Sequence, residues 1–173
     1  MKQVLSALCL VACVACASAL YAQDTPQAAS SDPIFQRILE PLQKECQVPL
    51  RLPRRLPDLG QGTDPVYAVL ESAQPDSYSI ILGFTEDCNG ASFCRIGILI
   101  GRKVPGQSRL SGKQVRLNYG FRGVYQEAEC GANCTDAVIR WREGDVEYSV
   151  GVKAGSLADA KNLANASLRK PAQ

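Results

Sequence analysis

The residues of this sequence with the most chemistry open to them are its cysteines, Cys9, Cys13, Cys16, Cys46, Cys88, Cys94, Cys130 and Cys134. Two pairs stand out by spacing. Cys88-Asn89-Gly90-Ala91-Ser92-Phe93-Cys94 and Cys130-Gly131-Ala132-Asn133-Cys134 each enclose a glycine and an asparagine, the residue types of a tight loop. Local bridges Cys88–Cys94 and Cys130–Cys134 are the first choice, although four cysteines permit three connectivities and a crossed pattern joining the two loops stays open. A four-cysteine zinc module would space its pairs by two to four residues; Cys130 and Cys134 comply, and Cys88 and Cys94 are too far apart. Neither pair has the two-residue spacing of a thioredoxin-like redox centre. The expectation is therefore structural disulfides and no metal. Cys46 is left over. It reads either as a buried apolar thiol or as a reactive or intermolecular one.

Other mechanisms fall away on composition. The chain has no histidine, so Ser-His-Asp and Cys-His machinery and His-ligated zinc are absent. A glycosidase needs two carboxylates facing one another across a cleft. Glu86-Asp87 would point to opposite faces of an extended segment. Glu127 and Glu129 share a face but sit beside a cysteine loop, and the single Trp141 gives no sugar platform. Gly60-Gln61-Gly62 lacks the Lys-Ser/Thr sequel of a phosphate loop and reads as a turn. The three arginines of Val48-Pro49-Leu50-Arg51-Leu52-Pro53-Arg54-Arg55-Leu56-Pro57 raise an anion site, but the simpler reading is a solvated, proline-stiffened connection. With 19 Lys+Arg against 17 Asp+Glu, and the basic residues scattered, the sequence carries no nucleic-acid footprint and no polybasic membrane patch. No cofactor is implied.

The leader indicates the compartment. Residues 1–22 run from Met1-Lys2 through an apolar stretch, Val4 to Leu20, to the polar Gln23-Asp24-Thr25-Pro26, the order of a signal peptide. Cleavage after Ala22 suits the change of polarity better than cleavage after Ala19. Two other readings compete. Leu10-Val11-Ala12-Cys13 resembles a lipobox, with Cys16 a poorer second copy, which would make the protein a tethered lipoprotein. Val4 to Ala22 is also long enough for an uncleaved anchor, but it is rich in Ala, Ser and Cys. Export to the periplasm or the exterior is the favoured reading, and an oxidising compartment preserves disulfides.

Residues 23–31 are small and polar and read as a flexible linker, so the ordered domain is placed at 32–173. Ser31 or Asp32 caps a helix with Pro33 in its first turn and Ile34, Phe35, Ile38, Leu39 and Leu42 on one face. Pro41 is expected to bend or end it. Seven strands follow, at 66–72, 77–84, 93–102, 113–119, 121–127, 137–142 and 145–153. Glu143-Gly144 marks a hairpin in which Trp141 and Tyr148 are cross-strand partners. Ser156-Leu157-Ala158-Asp159 is a capping box opening a last helix striped by Leu157, Ala160, Ala164 and Leu168. Asn165-Ala166-Ser167 matches a glycosylation sequon by chance. The fold expected is a single α+β domain: an antiparallel sheet against a C-terminal helix, with a short N-terminal helix covering an edge or the same face.

Trp141-Arg142-Glu143-Gly144-Asp145-Val146-Glu147-Tyr148 with the helix after it, Tyr78 to Phe84 and the two cysteine loops resemble a group of uncharacterised exported bacterial proteins, notably cyanobacterial ones. That resemblance implies export and disulfides and brings no activity. The functional expectation is a non-catalytic, disulfide-stabilised binding or structural module of the bacterial envelope. Its partner would be an envelope protein or a small apolar ligand held in an exposed groove on the sheet face away from the helix. The rivals are the same fold tethered to the membrane through Cys13 or Cys16, and a thiol-dependent enzyme using Cys46 with Lys44 or Glu45 nearby.

Overall fold

The structure, a computed structural model, describes residues 31–106 and 109–170. The leader with its cleavage sites, Cys9, Cys13 and Cys16, and the linker as far as residue 30 lie outside the described residues. Asp32 opens the fold: its carboxylate accepts from Ile34 N–H at 3.2 Å and from Leu56 N–H at 2.7 Å. A 3-10 turn at Pro33–Phe35 leads into α1, Gln36–Glu45, which buries Ile38, Leu39 and Leu42. Pro41 lies within α1 and does not end it. A proline removes one N–H and so frees one carbonyl, here that of Arg37, and both Pro41 and Arg37 lie on the exposed face where water can satisfy it.

The seven strands are β1 Tyr67–Gln74, β2 Ser77–Gly83, β3 Arg95–Lys103, β4 Lys113–Arg116, β5 Arg122–Gln126, β6 Asp136–Glu143 and β7 Val146–Lys153, followed by α2, Leu157–Ser167. They form one antiparallel sheet in the order β1-β2-β3-β7-β6-β5-β4. The strand expectations hold to within a few residues, the fourth ending earliest because Asn118–Gly120 turns, with Gly120 at φ 81°. The β6–β7 loop is Gly144-Asp145, one residue beyond the expected Glu143-Gly144. Glu143 pairs with Val146, and Gly144 takes a left-handed φ of 62° at the first of the two loop positions, where glycine is free to go.

One face of the sheet holds the core. Period-two alternation puts Tyr78, Ile80 and Leu82 of β2, Leu99 of β3, Ile139 and Trp141 of β6, and Tyr148, Val150 and Val152 of β7 on that face, all buried with Ala160, Leu163 and Ala164 of α2 and with the buried residues of α1. Both helices thus cover the same face. The capping box forms as expected, with Ser156 N–H on Asp159 Oδ2 at 2.8 Å and Asp159 N–H on Ser156 Oγ at 3.3 Å.

Between the helices the proline-rich segment roofs the core with Val48, Leu50, Leu52 and Leu59. Trp141 and Tyr148 are register partners whose rings stack 5.4 Å apart. Gly101 sits between Tyr78 on β2 and Tyr148 on β7, and a Cβ there would overlap the Tyr78 ring. The glycine makes room for the Tyr78 ring, and both hydroxyls reach the segment above. Tyr148 Oη donates to the Pro49 carbonyl at 2.8 Å, and Tyr78 Oη accepts from Arg51 N–H at 3.2 Å.

Two glycine substitutions separate this packing role from a mere loop glycine. Gly101→Ala should lower the unfolding free energy by about 2 kcal/mol, as overpacking does. Gly131→Ala, where an added Cβ meets nothing within 4 Å, should leave it unchanged within about 0.5 kcal/mol. Denaturant midpoints measure both, and equal effects would contradict the packing assigned to Gly101.

Candidate functional site

The structure pairs Cys88 with Cys94 and Cys130 with Cys134, the local connectivity. The first bridge closes a loop that packs over Ile81 and Val69 on the face away from the helices. Gly83 admits it, because a Cβ there would come within 2.6 Å of the Cys88 Cβ. The second closes the β5–β6 connection, which Thr135 N–H on the Glu129 carbonyl, 2.8 Å, also holds. Both brace loops. Cys46 is a free, buried thiol. Burial pushes its pKa up, against the opposing effect of the Val48 N–H that its sulfur accepts at 3.4 Å. A thiol held protonated behind the core lacks what a nucleophile needs. Lys44 and Glu45 beside it are exposed. Of the carboxylates weighed for hydrolysis, Glu86 forms an exposed ion pair with Arg37, and Glu127 and Glu129 face solvent. The sequon residue Asn165 has its side-chain oxygen engaged by Asn118 N–H at 2.8 Å.

The proline-rich segment is not a uniformly solvated connection. Arg51 forms a bidentate pair with Glu143, Nε to Oε1 at 2.8 Å and Nη2 to Oε2 at 2.6 Å, and lies over the Tyr148 ring. Trp141 Nε1 donates to the same Oε1 at 3.1 Å. Burial alone would raise the Glu143 pKa, but the Arg51 and Trp141 hydrogen bonds outweigh it and hold the carboxyl below its ordinary range. Only Arg54 and Arg55 face solvent, at a depression of about 310 Å³ shared with Tyr119, Arg169 and Lys170. Arg169 there is engaged by backbone carbonyls, its Nη2 reaching that of Leu52 at 2.6 Å.

The helix-free face of the sheet differs in character. Successive register pairs place Ile98 beside Gly151 and Val138 in one row, and Ile100 beside Ser149 and Arg140 in the next. The row nearest the β6–β7 turn is charged. Arg102 of β3 pairs with Glu147 of β7, and Glu147 with Arg142 of β6. Glu147 accepts from Arg102 Nη2 at 2.6 Å and from Arg142 Nη2 at 3.1 Å, with its own side chain only 5% exposed. Burial would raise the Glu147 pKa, and the two arginine hydrogen bonds override it to leave it lowered. The register Gly123↔Trp141 then brings Arg122 of β5 opposite Arg142, and Arg122 pairs with Arg116 of β4.

The β3–β4 connection crosses this face, because β4 lies three strands beyond β7 in the sheet order. Arg140 Nη2 donates to the Ser111 carbonyl in it at 3.3 Å. The connection leaves two depressions, of about 500 Å³ and about 380 Å³, that share Arg109, Leu110 and Arg142. Among the described residues six cationic side chains line them, Arg102, Lys103, Arg109, Arg122, Arg140 and Arg142, against the single carboxylate of Glu147. That local excess is larger than the formal +2 of the entire chain, so the remaining surface is net acidic. Such an asymmetry steers anions toward one face. Sequence reading missed it because the arginines are scattered along the chain, and only the register of five strands puts them together. Among the described residues no three His, Cys, Asp or Glu side chains meet as a metal site would require, and no helix is long and apolar enough to cross a membrane.

Comparison of the chain with protein-family models, with curated proteins and with solved structures finds no match.

Glu143 and Glu147 contribute to the acid response of the fold. Glu143 and Glu147 have folded pKa values below their ordinary 4.5, so the stability they contribute is complete above that value and is lost as pH falls through the folded values. Glu143→Gln should cost about 2 kcal/mol at pH 7 by weakening the charge-assisted bonds to Arg51. It should also flatten the loss of stability below pH 4.5. Denaturant unfolding across that range is the measurement, and a variant with wild-type stability and wild-type acid sensitivity would refute the role of this pair.

Proposed function

We propose that this protein is an exported, disulfide-framed, non-catalytic module of the bacterial envelope or exterior, and that it binds an anionic ligand on its helix-free sheet face. The observation that carries the reading is the surplus of six cations over one carboxylate around the two depressions on that face. Ile98, Ile100 and Val138 there are half-buried and interleaved with Ser149, Gly151 and Arg140, so the face favours an anion over a purely apolar ligand. Export is supported by the signal-like leader and by two disulfides, which an oxidising compartment preserves. The absence of a reactive environment around Cys46 weighs against a thiol enzyme.

The test is retention on immobilised heparin, a sulfated glycan, at low salt. The protein should be retained, and Arg109→Gln with Arg140→Gln should elute at clearly lower salt. The charge-matched control Lys44→Gln with Lys161→Gln, on the helices, should elute with the wild type. Flow-through of the wild type, or equal shifts in both double variants, would overturn the reading.

A further inference from the structure

The row that ends at the β4 edge has a feature that general cationic character does not explain. Arg142, Arg122 and Arg116 stand on three neighbouring strands, β6, β5 and β4, on one face and in one row. Like charges directly opposite one another across an antiparallel pair destabilise it. On the β7 side the cost is relieved by Glu147, which sits between Arg102 and Arg142. On the β5 and β4 side no carboxylate among the described residues lines the depression, whose other polar side chains there are Gln114 and Arg109. A charged edge strand is a common guard against sheet-to-sheet pairing, and that accounts for Lys113 and Arg116 on β4. It does not account for Arg122, which lies inside the sheet, nor for Arg109, which lines the same depression as Arg122 and Arg142.

Resting on the anionic-ligand reading, we infer that Arg142, Arg122 and Arg116, with Arg109 of the same depression, form a ladder for a linear oligoanion whose oxyanion groups lie across β6, β5 and β4 and run off the β4 edge. Neighbouring strands are about 4.8 Å apart, so the ladder presents guanidinium groups over about 10 Å. That suits successive phosphate or carboxylate groups along one chain better than a single compact anion. Guanidinium binds both chemistries through paired N–H donors. Arg122 and Arg116 are exposed, Arg142 is half-buried, and the flanking Val124 and Leu110 supply an apolar wall.

The test titrates the whole folded protein with orthophosphate, tripolyphosphate and trigalacturonate, by calorimetry at low salt. Tripolyphosphate should bind roughly tenfold or more tighter than orthophosphate. Arg122→Gln and Arg116→Gln should each weaken it several-fold and each reduce the slope of log affinity against log salt by about one. Lys161→Gln on α2 should change neither. Trigalacturonate binding as tightly as tripolyphosphate would assign the ladder to carboxylate chains as well, and much weaker binding would assign it to phosphate chains; both support the ladder. Tripolyphosphate binding that is insensitive to Arg116→Gln and Arg122→Gln but lost in Arg140→Gln overturns the ladder and leaves the anionic-ligand reading standing. No binding of any of the three, with the variants' fold verified by circular dichroism, overturns both.

Discussion

A proline-rich segment that cannot join a sheet must still have its backbone satisfied if it is to cover a core, and that constraint organises this protein. Pro49, Pro53 and Pro57 deny the segment a ladder of strand hydrogen bonds. Side chains and distant backbone supply the partners instead. Tyr148 and Tyr78 hold residues 49 and 51, Arg169 takes the Leu52 carbonyl, and Asp32 N–H reaches that of Pro53 at 2.8 Å. Arg54 N–H bonds the Ala166 carbonyl at the end of α2 at 3.3 Å. The Arg51–Glu143 pair then ties the segment to the end of β6, and Glu143 in turn fixes the Trp141 indole. Remove that network and Leu50 and Leu52 lose their hold over the sheet.

The consequence is a division of labour between the faces. With α1, α2 and this roof in place, the helix side of the sheet is filled by apolar side chains. The other side is covered only in part, at one end by the Cys88–Cys94 loop and across the opposite end by the β3–β4 connection. Charge follows the same division. Near neutrality overall, the chain concentrates arginine where the sheet is open, and one buried glutamate serves two of those arginines. The cross-strand apposition of Arg142, Arg122 and Arg116 is the physical basis on which anion binding is proposed for this face.

Much of the fold was legible in the chain. Runs rich in Val, Ile, Tyr and Phe broken by turn residues located the seven strands of the described residues, Trp141 and Tyr148 pair in the last hairpin although its loop lies one residue beyond Glu143-Gly144, and Ser156 with Asp159 marked the last helix by local hydrogen-bonding chemistry that sequence displays directly. The misreadings have a common cause. Arg51 reads as solvated in the chain because its partner is 92 residues away, and Pro41, read as a bend or an end, does not end α1 because the carbonyl it frees lies on the exposed face, which only the placement of the sheet decides. The candidate site was invisible for the same reason. Arg116 and Arg122 are near neighbours in sequence, but their alignment with Arg142, Glu147 and Arg102 needs the strand order, in which β7 is inserted between β3 and β6.

The most direct test of the claim that function lies on the helix-free face is a two-dimensional NMR titration of the disulfide-intact protein with tripolyphosphate, reading backbone amides and arginine Nε–Hε signals together. The account predicts that the largest shifts fall on Arg109, Arg116, Arg122 and Arg142 and on the amides of β4, β5 and β6, while α1, α2 and the segment around Leu50 stay in place. Shifts concentrated instead at Arg54, Arg55, Arg169 and Lys170, or spread evenly over all exposed cations, would contradict it.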